Sequence, residues 1–188
     1  MIAVKHFIFH KQNFNMSPIQ NLNTELNVDL KIEKLEGRKR RILAKTEIPY
    51  PLENVWQVIT DYESFAEFMP GMIESRRLDH PKGIRLEQVR TKSLIGIKIS
   101  ARSVVNIKEK FPYEIHYQLV EGDLKEFSGY WRLKDIKSSD EKAKVELTYD
   151  FSVLPKSIIP TPIFEHFLSN DVPASLMAVR HQVGKLFG

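Results

Sequence analysis

Asp123 and His166 are the residues best suited by type to pass a proton to or from a bound substrate. Cyclisation or dehydration chemistry would need such an acid/base pair close to the reacting atoms. The two lie in separate stretches of sequence, and no spacing rule brings them together. Gln88, Arg90 and Glu121 are the other polar side chains that could face an interior. A buried charge needs a partner. Arg90 is therefore expected either to pair with Glu121 or Asp123 or to end a strand in water. The sequence has no G-x-S-x-G elbow, no glycine loop to cradle phosphate and no H-E-x-x-H helix. The six histidines, at positions 6, 10, 80, 116, 166 and 181, show no metal-ligand spacing. With no cysteine there is no thiol nucleophile, zinc–thiolate site or disulfide framework. No metal or cofactor is expected.

A chain of 188 residues suits one domain, or one domain with an extension. Hydrophobic residues make up 42% and charged ones 28%, a balance that supports a packed core and excludes a disordered chain. The net charge of +4 allows weak attraction to an anionic membrane or RNA, but is too mild and dispersed for a DNA-binding protein. Only Arg38-Lys39-Arg40-Arg41 is densely basic. It reads as a solvated strand end or as a patch for an anionic partner. No apolar run reaches the ~20 residues that cross a bilayer. The first residues, MIAVKHFIFHKQNFNM, make a poor signal peptide, and Met16 could equally be a start. Residues 1–25 are expected to be a loosely attached extension and 26–188 the domain, in the cytoplasm.

The elements that must position any site follow from periodicity. Val28, Leu30 and Ile32 alternate with charged residues, and after Glu36-Gly37 the alternation resumes with Ile42, Ala44, Thr46 and Ile48. This is a hairpin. Pro49 and Pro51 stop it, with Pro51 suited to the first turn of a helix. Val55, Val58, Ile59 and Tyr62 then share one helical face. Ser64 and Glu67 have capping-box spacing, so a second short helix starts at Phe65 and ends at Pro70-Gly71. From Met72 to Val153 the period is two, with Lys137 to Lys142 as a polar hairpin tip. This predicts an antiparallel sheet with one wet face, which carries His116, and one buried face. The final segment carries two apolar sets at helical spacing: Ile163, Phe164, Phe167 and Leu168, then Leu176, Val179, Val183 and Leu186. Pro173 predicts a break between them, with Asn170 or Asp171 capping a second piece from Val172 to Phe187.

Trp56, Ile59, Asp61 and Tyr62, in VWQVITDYESFAEFMPGMIESRRL, stand with LEQV, LVEGDLKEFSGYWRL and LTYDFSVLPKSIIPTPIFEHFL in an order that resembles a known family. From about Val28 to Phe187 the chain is similar to the cyclase/dehydrase branch of the START-like (SRPBCC) superfamily, which includes polyketide cyclases and coenzyme Q-binding proteins. The resemblance implies an α+β helix-grip fold, in which a curved antiparallel sheet wraps a long C-terminal helix and two short helices follow the first strands. It also implies a cavity between sheet and helix.

On that basis the expected pocket lining is Gln88, Arg90, Ile99, Ala101, Ser103, Tyr117, Leu119, Trp131, Tyr149, Phe151, Phe164, Phe167, Leu176 and Val179. Most of the apolar members could equally be plain core, and Trp56 and Trp131 read as structural. Ala101 and Ser103 matter most, because small residues leave space on a bulky face. The stretch PKSIIPTP, with Ile158 and Ile159 at its centre, is either a lid that touches a membrane transiently or a rigid connector. Three functions fit. The first is a non-catalytic carrier of a hydrophobic molecule such as a lipid, isoprenoid or quinone. The second is an aromatase/cyclase, and the third a module for a protein or ribosome partner, as one branch of the superfamily implies.

Overall fold

A computed structural model describes residues 27–94, 97–136, 143–156 and 160–188. The expected extension, the 137–142 hairpin tip, Ile158 and Ile159 lie outside the described residues. The element order is β1 (Val28–Lys34), β2 (Arg40–Ile48), α1 (Leu52–Thr60), α2 (Phe65–Phe68), β3 (Met72–Leu78), β4 (Ile84–Leu94), β5 (Ile97–Lys110), β6 (Glu114–Gly122), β7 (Leu124–Ile136), β8 (Lys144–Pro155) and α3 (Thr161–Phe187). The eight strands form one antiparallel sheet in the order β1-β2-β8-β7-β6-β5-β4-β3. This is the helix-grip architecture. Every connection joins sheet neighbours except β2 to β3, which carries the two short helices, and there the chain crosses from one half of the sheet to the other.

The strand alternation survives in burial. Ile42, Ala44, Thr46 and Ile48 are buried while Arg41 and Glu47 are exposed. The basic run is less uniform than a solvated strand end. Arg40 is only 4% exposed, because its guanidinium turns inward to Glu165 on α3. Periodicity along the strand could not show a partner 125 residues away.

The short helices form where predicted, with two differences. Pro51 is the N-cap of α1 rather than its first helical residue. The capping box at Ser64 does not form. Ser64 is already in the right-handed helical region (φ −72, ψ −8), and its Oγ donates instead to Asp61 Oδ2 at 2.7 Å. A capping side chain needs the extended backbone that Ser64 lacks. Gly71 ends this stretch at φ +69, with the Thr91 carbonyl oxygen only 2.8 Å from where a Cβ would sit.

Pro173 does not break the last helix, which runs through 27 residues, roughly 40 Å at 1.5 Å per residue. A proline inside a helix costs about 3 kcal/mol through a lost hydrogen bond and a ring clash. Burial on both sides outweighs that here, since Phe164, Leu168 and Val172 precede it and Leu176, Val179 and Val183 follow, all buried. The helix lies over β1, β2, β8 and α1, while α2 packs on β3. Over the half of the sheet from β4 to β7 the helix that packs closely is α1, on β7.

Candidate functional site

Over that half lies a cavity of about 250 Å³, walled mostly by apolar side chains. Gln88 and Arg90 of β4, Ile99, Ala101 and Ser103 of β5, Tyr117 of β6, Trp131 of β7, Tyr149 and Phe151 of β8, and Phe164 and Phe167 of α3 all line it. Leu119, Leu176 and Val179 do not. Leu119 lies just past Gln118, where the pairing of β6 with β7 stops, and packs at the edge of the core. Leu176 and Val179 are fully buried on the later half of α3, where the helix rests on the sheet with no gap between them.

Sequence reasoning missed the opposite wall. Tyr62 from the link between the short helices, Phe65 of α2, Met69 just after it, and Leu168, Val172 and Ser175 from α3 complete the enclosure. For the α3 members the signal was present in the helical spacing of Phe164, Leu168, Val172 and Ser175, which form one face of an unbroken helix. Expecting a break at Pro173 divided that face in two.

The sheet wall is aromatic. Trp131 and Tyr149, cross-strand neighbours, stack with ring centroids 3.9 Å apart and planes 12° apart. Tyr149 continues to Phe151 at 4.6 Å, and Tyr117 meets Phe127 at 4.9 Å. Gly129 makes room for them. It pairs with Tyr117 on one side and Phe151 on the other, and a Cβ there would lie 2.5 Å from the Phe151 Cβ. Trp131 is therefore both structural and cavity wall, whereas Trp56 is core, edge-on to Phe111 at 5.4 Å.

Polar groups gather at two places. At the mouth, Lys92 Nζ donates to Asp171 Oδ1, tying β4 to α3 beside Gly71 and Thr91. Deeper, Arg90 donates from Nη1 to the Pro70 carbonyl at 3.2 Å. Arg90 does not pair with Glu121 or Asp123, because Arg102 takes both. Its Nη2 lies 2.9 Å from Glu121 Oε1, and its backbone N–H donates to Asp123 Oδ2 at 2.8 Å. Burial raises the Tyr117 phenol well above its ordinary pKa, the neighbouring Tyr149 raises it further, and Arg90 pulls it back. Tyr149 is likewise raised by burial and lowered by Arg90. Both phenols are neutral donors at physiological pH.

His166 is exposed on α3 beside Asn170, and neither it nor Asp123 reaches the cavity. The acid/base pair that a cyclase would need does not converge there. Among the described residues no three His, Asp or Glu side chains cluster as metal ligands. None of the described helices is long and apolar enough to cross a membrane.

Residues 48–180 match the family described as polyketide cyclase / dehydrase and lipid transport. The chain belongs to that family. Its curated relatives include the ribosome association toxin RatA of Escherichia coli K12, 28% identical over 112 residues that span 59% of this chain and 67% of RatA. Among solved structures, a START superfamily protein from Mycobacterium smegmatis superposes with a TM-score of 0.64 at 15% identity, covering 78% of this chain and 98% of that one. The Zhui aromatase/cyclase from Streptomyces superposes with a TM-score of 0.58 at 19% identity, covering 78% and 94%. At such identities these structures establish the fold. The polyketide cyclase / dehydrase and lipid transport family thus combines, in its own description, catalysis and carriage on one scaffold, and the site must decide between them.

Proposed function

We propose that the protein binds and carries a hydrophobic small molecule, lipid-, isoprenoid- or quinone-like, in the cavity between the sheet and α3. The supporting observation is the cavity itself. An unfilled apolar void of about 250 Å³ would cost at most about 6 kcal/mol at ~24 cal/mol per Å³. Total domain stability is only ~5–15 kcal/mol. Space that costly is hard to keep without an occupant that offsets it. The volume falls just below the ~300–1,000 Å³ of most ligand pockets. A ring compound, or the head of a longer molecule whose tail leaves through the mouth, fits better than a whole long-chain lipid.

The enzyme reading is weaker, since Asp123 and His166 both lie off the cavity. A protein or ribosome partner is supported by the RatA relative and would use the outer surface. Native mass spectrometry of gently purified protein, followed by organic extraction, tests carriage. A bound mass released into the organic phase is expected. Repeated recovery of unliganded protein, with no uptake of quinone or lipid from vesicles, would overturn it.

A further inference from the structure

Tyr117 is 6% exposed, and among the described residues its hydroxyl has no hydrogen-bond partner. Its side chain lines the cavity. The Tyr117 and Tyr149 hydroxyls are close enough to shift each other's titration, by hydrogen bonding as well as charge, but the contact falls short of hydrogen-bond geometry and leaves the Tyr117 hydroxyl unsatisfied. A buried hydroxyl left unpaired is destabilising, whereas phenylalanine would fill the same shape without that cost. The hydroxyl is thus unexplained by folding.

Arg90 lines the same cavity and sits on the strand wall beside Ala101, its register partner on β5. Its guanidinium has five N–H groups, and the bond it makes among the described residues is the one to the Pro70 carbonyl. No described carboxylate lies within ion-pair distance of it: Asp171 is held by Lys92, and Glu121 by Arg102. The small Ala101 and Ser103 line the cavity on β5, the strand that separates Arg90 on β4 from Tyr117 on β6, and Arg90 is near enough for its charge to act on the Tyr117 phenol. This part of an otherwise aromatic cavity therefore offers the strong donors of Arg90 and Tyr117, with the neutral side chains of Gln88 and Ser103, which can donate or accept, beside Arg90.

Resting on the carrier reading above, we infer that the ligand is a ring-bearing molecule whose polar end is an oxygen acceptor, a carbonyl or an oxyanion. That oxygen takes the Tyr117 hydroxyl proton as its hydrogen bond, with Arg90 supplying the charge beside it. The rings lie against the stacked Trp131 and Tyr149.

The test uses the full chain and three competitors that share one ring system. N-phenyl-1-naphthylamine, whose fluorescence rises in apolar surroundings, serves as the reporter. 2-Methylnaphthalene, 2-naphthamide and 2-naphthoate then compete with it, carrying no acceptor, a carbonyl and an oxyanion respectively. One charge-assisted or buried hydrogen bond corresponds to about a tenfold change in affinity. The amide and the carboxylate are expected to displace the reporter at about tenfold lower concentration than the hydrocarbon. A carboxylate stronger than the amide identifies an oxyanion head, and equal potency identifies a carbonyl.

Tyr117→Phe should bring the ratio of amide to hydrocarbon affinity to about one. Arg90→Met should remove whatever the carboxylate gains over the amide. Tyr117→Phe should also melt no lower than the parent protein, since no hydrogen bond is lost. Reporter binding with equal competition by all three compounds overturns this inference and leaves the carrier reading standing. Failure of the reporter to bind overturns both. The competition on the unsubstituted chain decides the matter even where a variant does not fold.

Discussion

Arg40 Nε and Nη2 both donate to one oxygen, Glu165 Oε1, at 2.9 and 2.8 Å, joining the second strand to the first turns of the last helix. The two side chains differ in their access to water, with Arg40 5% exposed and Glu165 34%. Removing Glu165 leaves a buried cation, whereas removing Arg40 leaves a carboxylate that water can reach. Glu165→Ala is therefore expected to cost more stability than Arg40→Met, ~2–4 against ~1–2 kcal/mol. Urea unfolding of both variants measures the order, and equal costs would show that the pair acts only as a surface bridge.

Gly129 stands where β7 comes closest to its neighbours. A methyl group there would overlap the Asp150 carbonyl oxygen and the Phe151 Cβ, and neither can move without breaking the β7–β8 ladder. Gly129→Ala is expected to destabilise the fold by about 3 kcal/mol or more, at the upper end of overpacking costs. Thermal melting checks it, and a near-neutral variant would mean that the strand pairing has slack.

Ala101 keeps the cavity open by being small. Ala101→Leu should place a side chain in the void, raise stability by up to about 2 kcal/mol through added apolar burial, and weaken reporter binding at least tenfold. Stability and binding moving in opposite directions is the expected result. Loss of both would indicate a strained wall rather than a filled one.

Glu114 sits on the outer face, hydrogen-bonded by His116, Arg132 and Lys110, and these hold its carboxyl down to about 2. A carboxylate with a depressed folded pKa contributes stability above its ordinary value, ~4.3, and loses it as the pH falls through the folded value. Stability is thus expected to decline between pH ~4.3 and about 2. Glu114→Gln should cost ~1–2 kcal/mol at pH 7, the value being reduced by solvent screening on this wet face. Near pH 2 the variant and the parent should converge. Denaturant midpoints across that range test the claim, and a constant gap would refute it.

The sequence by itself determined the strands, the helices and their order, because each is set by a local rule. Val145, Leu147 and Tyr149 alternate inward whatever lies opposite them, and Phe164, Leu168 and Val172 mark a helical stripe without reference to any sheet. Order then fixed the fold, and the smallness of Ala101 and Ser103 pointed to the open strand. Only the tertiary structure could show that Pro173 is carried inside a continuous helix, since the decisive term is burial against distant strands. It also decided that Arg40 faces inward, that Arg102 rather than Arg90 holds Glu121, and that the Tyr117 hydroxyl finds no hydrogen-bond partner among the described residues. Those outcomes depend on register and on volume summed over residues far apart in the chain. No pattern along one strand records what the facing element leaves empty.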